Sequence, residues 1–142
     1  MGAAPVPRLG GLLESALYVA DLDRSRAFYQ RVLGLEPMLA DERMVGLEVP
    51  GGAVLLLFRR GGSTRPSETP GGLIPAHDGQ GTLHVAFRIP LASLGDWERH
   101  LAAQGVAIES RVVQSHGGTS LYFRDPDGHS VEVAVPGLWP NY

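Results

Sequence analysis

Leu121-Tyr122-Phe123-Arg124-Asp125-Pro126-Asp127-Gly128-His129-Ser130-Val131-Glu132 reads as two short strands joined by a tight turn. Proline presets φ for a type I turn, and glycine follows where φ is expected to turn positive. Valines at 131, 133 and 135 mark one face of the second strand. Alternation therefore sends Glu132 to the other face, with Ser130 and Ala134. A carboxylate there is solvated, paired or holding a metal.

Two earlier strands carry the same signature. Leu12–Val19 places Leu13, Leu17 and Val19 on one face and Glu14, Ala16 and Tyr18 on the other. Thr82–Ile89 places Leu83, Val85, Phe87 and Ile89 on one face, with His84, Ala86 and Arg88 opposite. Each polar residue has an alanine two positions away (Ala16, Ala86, Ala134), which leaves space around its head group. One such residue alone would suit the solvated side of a sheet. Three in matching places suggest a site.

They match because the chain repeats. After the first strand, Asp21 suits a helix N-cap, Leu22, Phe28, Tyr29, Val32 and Leu33 suit one helix face, and Gly34 ends it. Strands are expected at Leu35–Ala40, Met44–Val49 and Ala53–Phe58. After Thr82–Ile89, Leu91, Leu94, Trp97 and Leu101 keep helical spacing and Gly105 closes the helix. Strands are expected near 106–113, 119–124 and 129–135. Glu14 precedes Gly34 by 20 positions and His84 precedes Gly105 by 21. Overlaying the copies puts Glu14 on His84 and Leu56 on Glu132. The expected fold is α+β, built of two βαβββ modules. The divisions are a flexible leader (1–10), a first module (11–58), a Gly/Pro-rich loop (59–81), a second module (82–135) and a tail (136–142). The 59–81 loop holds six glycines and three prolines, and irregular loops of that length are usually lids or linkers.

Bulk properties narrow the function. A net charge of −3 and a pI near 5.9 give no footprint for nucleic acid. No apolar run reaches the roughly 20 residues that span a bilayer. The first residues lack a signal-peptide core, so a cytoplasmic protein is expected. With no cysteine, any metal must be held by His, Asp, Glu or carbonyl groups.

Residues 16–29 (Ala-Leu-Tyr-Val-Ala-Asp-Leu-Asp-Arg-Ser-Arg-Ala-Phe-Tyr), 83–87 (Leu-His-Val-Ala-Phe) and 121–132 resemble the vicinal oxygen chelate superfamily. Its members include glyoxalase I, fosfomycin-resistance enzymes, methylmalonyl-CoA epimerase, extradiol dioxygenases and bleomycin-binding proteins. The resemblance covers nearly the whole chain. It implies that the two modules form a cupped mixed sheet around a metal site, with metal ligands at Glu14, His84 and Glu132, one divalent ion (Fe, Mn, Zn, Ni or Co), a small substrate chelating through adjacent oxygens, and a homodimer. Leu56 stands where glyoxalase I supplies a carboxylate. Tyr122 resembles the extradiol partner of a substrate hydroxyl. A metal-dependent enzyme is therefore expected, with ring-cleaving dioxygenase favoured by Tyr122, Leu56 and an apolar loop. Glu14 counts against that choice, since extradiol enzymes resemble a His-His-Glu set. A glyoxalase or epimerase, and a binding or resistance protein without chemistry, are the alternatives.

His77, seven residues before His84, is a candidate acid/base or extra ligand that the loop could swing inward. His116 is a weaker candidate of the same kind. His129 and His100 read as surface residues, and Arg59 and Arg60 as strand-end arginines. Leu73, Ile74 and Pro75 suggest an apolar lid, with Leu56 and Phe58 on the inner wall.

Overall fold

In the computed structural model, which describes residues 2–142, β1 (Glu14–Val19) leads into α1 (Leu22–Leu33), and β2 (Pro37–Ala40), β3 (Met44–Val49) and β4 (Ala53–Arg59) follow. The caps are those the sequence implies. Asp21 is extended, at φ −136°, and its carboxylate accepts the Arg24 N–H, satisfying an otherwise orphaned donor. Gly34 takes φ +68° and returns its N–H to the Gln30 carbonyl. Residues 59–81 are not wholly irregular: β5 (Ser67–Thr69) and β6 (Gly72–Ile74) form a hairpin. Then come β7 (His84–Arg88), α2 (Leu94–Ala103), β8 (Ser110–Val113), β9 (Thr119–Arg124) and β10 (Ser130–Ala134). A 3₁₀ turn at Leu91–Ser93 precedes α2, and Leu91 is exposed rather than on the core face of the helix.

The modules build separate sheets, ordered β1-β4-β3-β2 and β7-β10-β9-β8, each with one parallel and two antiparallel pairings. Among the described residues no strand of one of these sheets pairs with a strand of the other. The registers reproduce the internal repeat. Leu56 stands beside Ala16, as Glu132 stands beside Ala86.

One apolar cluster joins the two modules. Leu17, Val19, Val45, Leu47, Leu55 and Leu57 of the first sheet meet Phe28, Tyr29 and Val32 of α1, and Leu121, Phe123, Val131 and Val133 of the second sheet complete it. Phe28 packs against Phe123 with ring centroids 6.5 Å apart. Polar contacts tie the helices together as well: His100 Nε2 donates to the Val32 carbonyl at 2.8 Å and Arg31 reaches the Gln104 carbonyl at 2.9 Å. His100 is therefore a half-buried clasp, not a solvated residue.

Candidate metal and substrate site

The hairpin β9–β10 has two functions divided by strand parity. Its turn locks onto the first module. Asp125 accepts the N–H groups of Asp127 and His129 on one oxygen and the Tyr29 hydroxyl, at 2.8 Å, on the other. Burial, then the Asp125 carboxylate, push the Tyr29 phenol far above its ordinary pKa, so it stays a donor. Asp127 accepts from the Ala20 N–H at 2.8 Å and the Ser25 hydroxyl at 3.1 Å, with Arg24 and Arg60 nearby. His129, expected at the surface, is fully buried. Its Nδ1 accepts the Leu83 N–H, which leaves the ring proton on Nε2 to bond the Tyr18 carbonyl at 2.7 Å.

The outward residues of the same hairpin build the site. Glu132 is opposite Tyr122 and beside Ala86, while Ser130 is beside His84. The Glu132 carboxylate, only 5% exposed, receives the Ser120 hydroxyl on Oε2 at 2.6 Å. Gln114 donates to both the Ser120 hydroxyl and the Tyr122 phenol, at 3.0 and 3.2 Å. The Tyr122 ring stacks near His84, centroids 6.4 Å apart. Gln114 and Ser120 escape a reading of the sequence, since a hydroxyl and an amide on strands are ordinary surface groups there.

His84 completes the pair. Its Nδ1 lies 3.0 Å from the Ser130 carbonyl, which can only accept, so Nδ1 carries the proton. Nε2 then faces Glu132 Oε1, 3.4 Å away. Two acceptors at that distance need positive charge between them, supplied by a second imidazole proton or by a cation. Cis ligands about 2.1 Å from a metal stand roughly 3 Å apart, and a pinned distal nitrogen is how metal-bound histidines are usually oriented. An imidazole beside a carboxylate therefore fits a divalent ion. Two ligands do not make a full site. Among the described residues no group of three or more His, Asp or Glu side chains gathers as a metal needs, so Glu14, exposed on β1, does not join the pair within one chain.

His77 lies on the first module. Its Nδ1 is 2.6 Å from the Tyr18 hydroxyl, and its ring meets Phe58 edge-on at 4.4 Å. Burial, then the nearby Asp78, raise the pKa of Tyr18. By parity Tyr18 shares a face with Glu14 and Ala16. His116 is exposed in the turn before β9, and Leu73 and Ile74 are exposed on β6. Among the described residues no helix is long and apolar enough to cross a membrane.

The profile of the Glyoxalase/Bleomycin resistance protein/Dioxygenase superfamily matches residues 11–133. The chain belongs to this superfamily, the vicinal oxygen chelate group. A solved superfamily structure, described as lactoylglutathione lyase from Agrobacterium tumefaciens, superposes with a TM-score of 0.85 at 34% identity, covering 94% of this chain and 99% of that one. Biphenyl-2,3-diol 1,2-dioxygenase 3 of Rhodococcus globerulus is 40% identical over 81 residues, which are 56% of this chain and 38% of the dioxygenase. The metallothiol transferase FosB of Bacillus licheniformis is 29% identical over 116 residues, 81% of this chain and 68% of the transferase. The superfamily scaffold thus accounts for the two modules, and its relatives act by different reactions.

Proposed function

We propose that this protein is a divalent-metal-dependent vicinal oxygen chelate enzyme, and that its site is completed between two copies of the chain. His84 and Glu132 are two ligands, and Glu14 of a second copy is the third. The observation that carries the reading is His84 Nε2 facing Glu132 Oε1 at 3.4 Å, with each group held from behind by Ser130 and Ser120. A bound ion would act as a Lewis acid toward two adjacent substrate oxygens. The chain's own residues orient and protonate. Tyr122, held by Gln114, presents its hydroxyl next to Glu132 and suits a hydrogen bond to a substrate oxygen. A second copy that delivers Glu14 brings Tyr18 and His77 on the same face, and the imidazole of His77 can then take or give a proton.

Within this reading, ring cleavage of a catechol-type substrate is favoured by Tyr122 and by the stretch of likeness to the Rhodococcus dioxygenase. The fuller likeness to a lactoylglutathione lyase supports a glyoxalase-type isomerisation as the alternative. Two measurements test the proposal. Glu14→Ala and His84→Ala proteins, each inactive alone, should regain part of the wild-type turnover and metal content when mixed, because some mixed dimers carry one intact site. No recovery after verified subunit exchange would refute a shared site. Oxygen uptake with a panel of catechols under Fe²⁺, against isomerisation of a 2-oxoaldehyde–thiol adduct under Ni²⁺ or Zn²⁺, separates the two reactions.

A further inference from the structure

A second recognition element lies one row along the sheet from Glu132. In β7, Arg88 is two residues beyond Ala86, and it stands beside Ala134 just as Ala86 stands beside Glu132. Same-face rows are about 7 Å apart along a strand. Arg88 thus projects from the site's face, one step from the carboxylate. Among the described residues its guanidinium forms none of the ion pairs that hold Arg24, Arg26, Arg60, Arg99, Arg111 and Arg124.

The tail gives that guanidinium a walled cleft. Ala86 and Ala134 form a floor of small side chains, and Leu138, Trp139 and Tyr142 line the space of about 260 Å³ beside Arg88. The wall is fixed in place. Tyr142 donates its hydroxyl to the Ala134 carbonyl at 2.6 Å and its N–H to the Trp139 carbonyl at 2.9 Å. Gly137 donates to the Tyr142 carbonyl and accepts from Gly118. A Cβ on Gly118 would fall 2.7 Å from the Pro136 oxygen, so the tail seats closely because that position has no side chain. Arg88 lies over the Tyr142 ring, 5.5 Å from its centroid, which orients the planar cation. Trp139 nonetheless stays 64% exposed.

We infer that this cleft is a subsite for a small acid with an aromatic or apolar body, its carboxylate on Arg88 and its ring between the alanine floor and Trp139 and Tyr142. A guanidinium fork matches a carboxylate in shape and charge. No acidic side chain lines the cleft. Its volume is below the roughly 300 Å³ at which drug-sized pockets begin, which suits one ring and not a nucleotide or thiol conjugate. Ala86 borders the cleft and stands beside Glu132, so a ligand can occupy the subsite and reach the His84–Glu132 pair. That this acid is the substrate rests on the function proposed above; the subsite itself does not.

Calorimetry with 4-methylbenzoate and its neutral counterpart 4-methylbenzamide tests the subsite with probes that have no adjacent oxygens. The benzoate should bind at least about tenfold more tightly, the usual worth of a charge-assisted hydrogen bond at a half-open site. It should also change the Trp139 emission. Arg88→Gln should reduce benzoate to the benzamide level and leave benzamide within twofold, and Arg88→Lys should restore part of the difference. Equal binding of the two probes, or equal loss of both in Arg88→Gln, would overturn the subsite. Metal titration of Arg88→Gln reads the other proposal alone: normal metal binding with lost benzoate preference supports the subsite. Retained benzoate preference in a wild-type protein that takes no metal would sink the metal reading and keep this one.

Discussion

Replacing Ser120 by alanine tests whether the Glu132 carboxylate is held ready for a cation. Ser120 is fully buried, and its hydroxyl gives Glu132 Oε2 a 2.6 Å hydrogen bond while accepting one from Gln114 at 3.0 Å. Alanine removes both at once and leaves Glu132 Oε2 without that donor in a side chain that is 5% exposed. A hydrogen bond to a charged group contributes about 1.5–3 kcal/mol net. At 1.4 kcal/mol per tenfold, the same range corresponds to roughly 10–150-fold in metal affinity if the bond serves mainly to orient the ligand. That agrees with the roughly 10–100-fold that outer partners of metal ligands usually contribute. Competition of Zn²⁺ or Mn²⁺ against a chelating dye measures it directly. Ser110→Ala is the control: Ser110 also stands opposite Tyr122 but is exposed, and its loss should change the affinity less than twofold. Ser120→Ala with wild-type metal affinity, in a protein whose circular dichroism is unchanged, would refute the reasoning.

Other perturbations have equally direct outcomes. Asp127→Ala strands the buried Ser25 hydroxyl and leaves the exposed Ala20 N–H to water; one charge-assisted bond lost at a buried donor implies about 1.5–3 kcal/mol, read as a urea midpoint lower by roughly 1 M, and a shift under 0.3 M would contradict the clamp (~0.5 kcal/mol at that slope). Gly79→Ala would place a methyl within the Tyr18 ring, so the 75–82 segment should detach and become the first site of limited proteolysis, whereas unchanged protease resistance would deny the contact. Asp41 has its pKa lowered first by the Arg43 and then by the Met44 N–H groups. A depressed carboxylate stabilises the fold above its unfolded pKa and loses that contribution as pH falls through the folded value, so Asp41→Ala should be less stable than wild type at pH 7 and equal to it once Asp41 is protonated in the folded and unfolded states alike; a pH-independent difference would rule this out.

The parts of the molecule that are legible in the sequence are those set by local rules. Helix α1 is bounded by Asp21 and Gly34 because capping depends on neighbours in the chain. The faces carrying Glu14, His84, Glu132 and Tyr122 follow from strand parity alone. What parity cannot give is the element lying across from a residue. Asp125, Asp127 and His129 look like turn chemistry, and any exposed turn would use the same residues. Their partners are Tyr29, Ser25, Ala20 and Tyr18, about a hundred residues away in the chain. The burial of His129 and the clasp at His100 were hidden for the same reason. So was the separation of Glu14 from the His84–Glu132 pair, because two repeats predict matching faces without saying which copies of those faces meet.

The clamp and the site belong to one hairpin, and this has a consequence for how the ligands are placed. Asp125, Asp127 and His129 hold the turn against α1 and β1 through hydrogen bonds that involve no metal. The next outward positions, Ser130 and Glu132, are therefore fixed before any cation arrives. Ser130 sets the ring orientation of His84 through its carbonyl, and the parallel pairing of β7 with β10 sets the spacing of the two acceptors. On the proposed reading, such a site would lose little conformational entropy on binding an ion, because His84 and Glu132 are already confined by packing and outer hydrogen bonds. It also explains why the carboxylate is tolerated almost out of contact with water: Ser120 and the edge of His84 replace its hydration. If the hairpin were free of the first module, the same residues would be present but His84 Nε2 and Glu132 Oε1 would not stay aligned. The inter-module clamp would thus serve the proposed metal site by positioning His84 and Glu132, although Asp125, Asp127 and His129 face the first module.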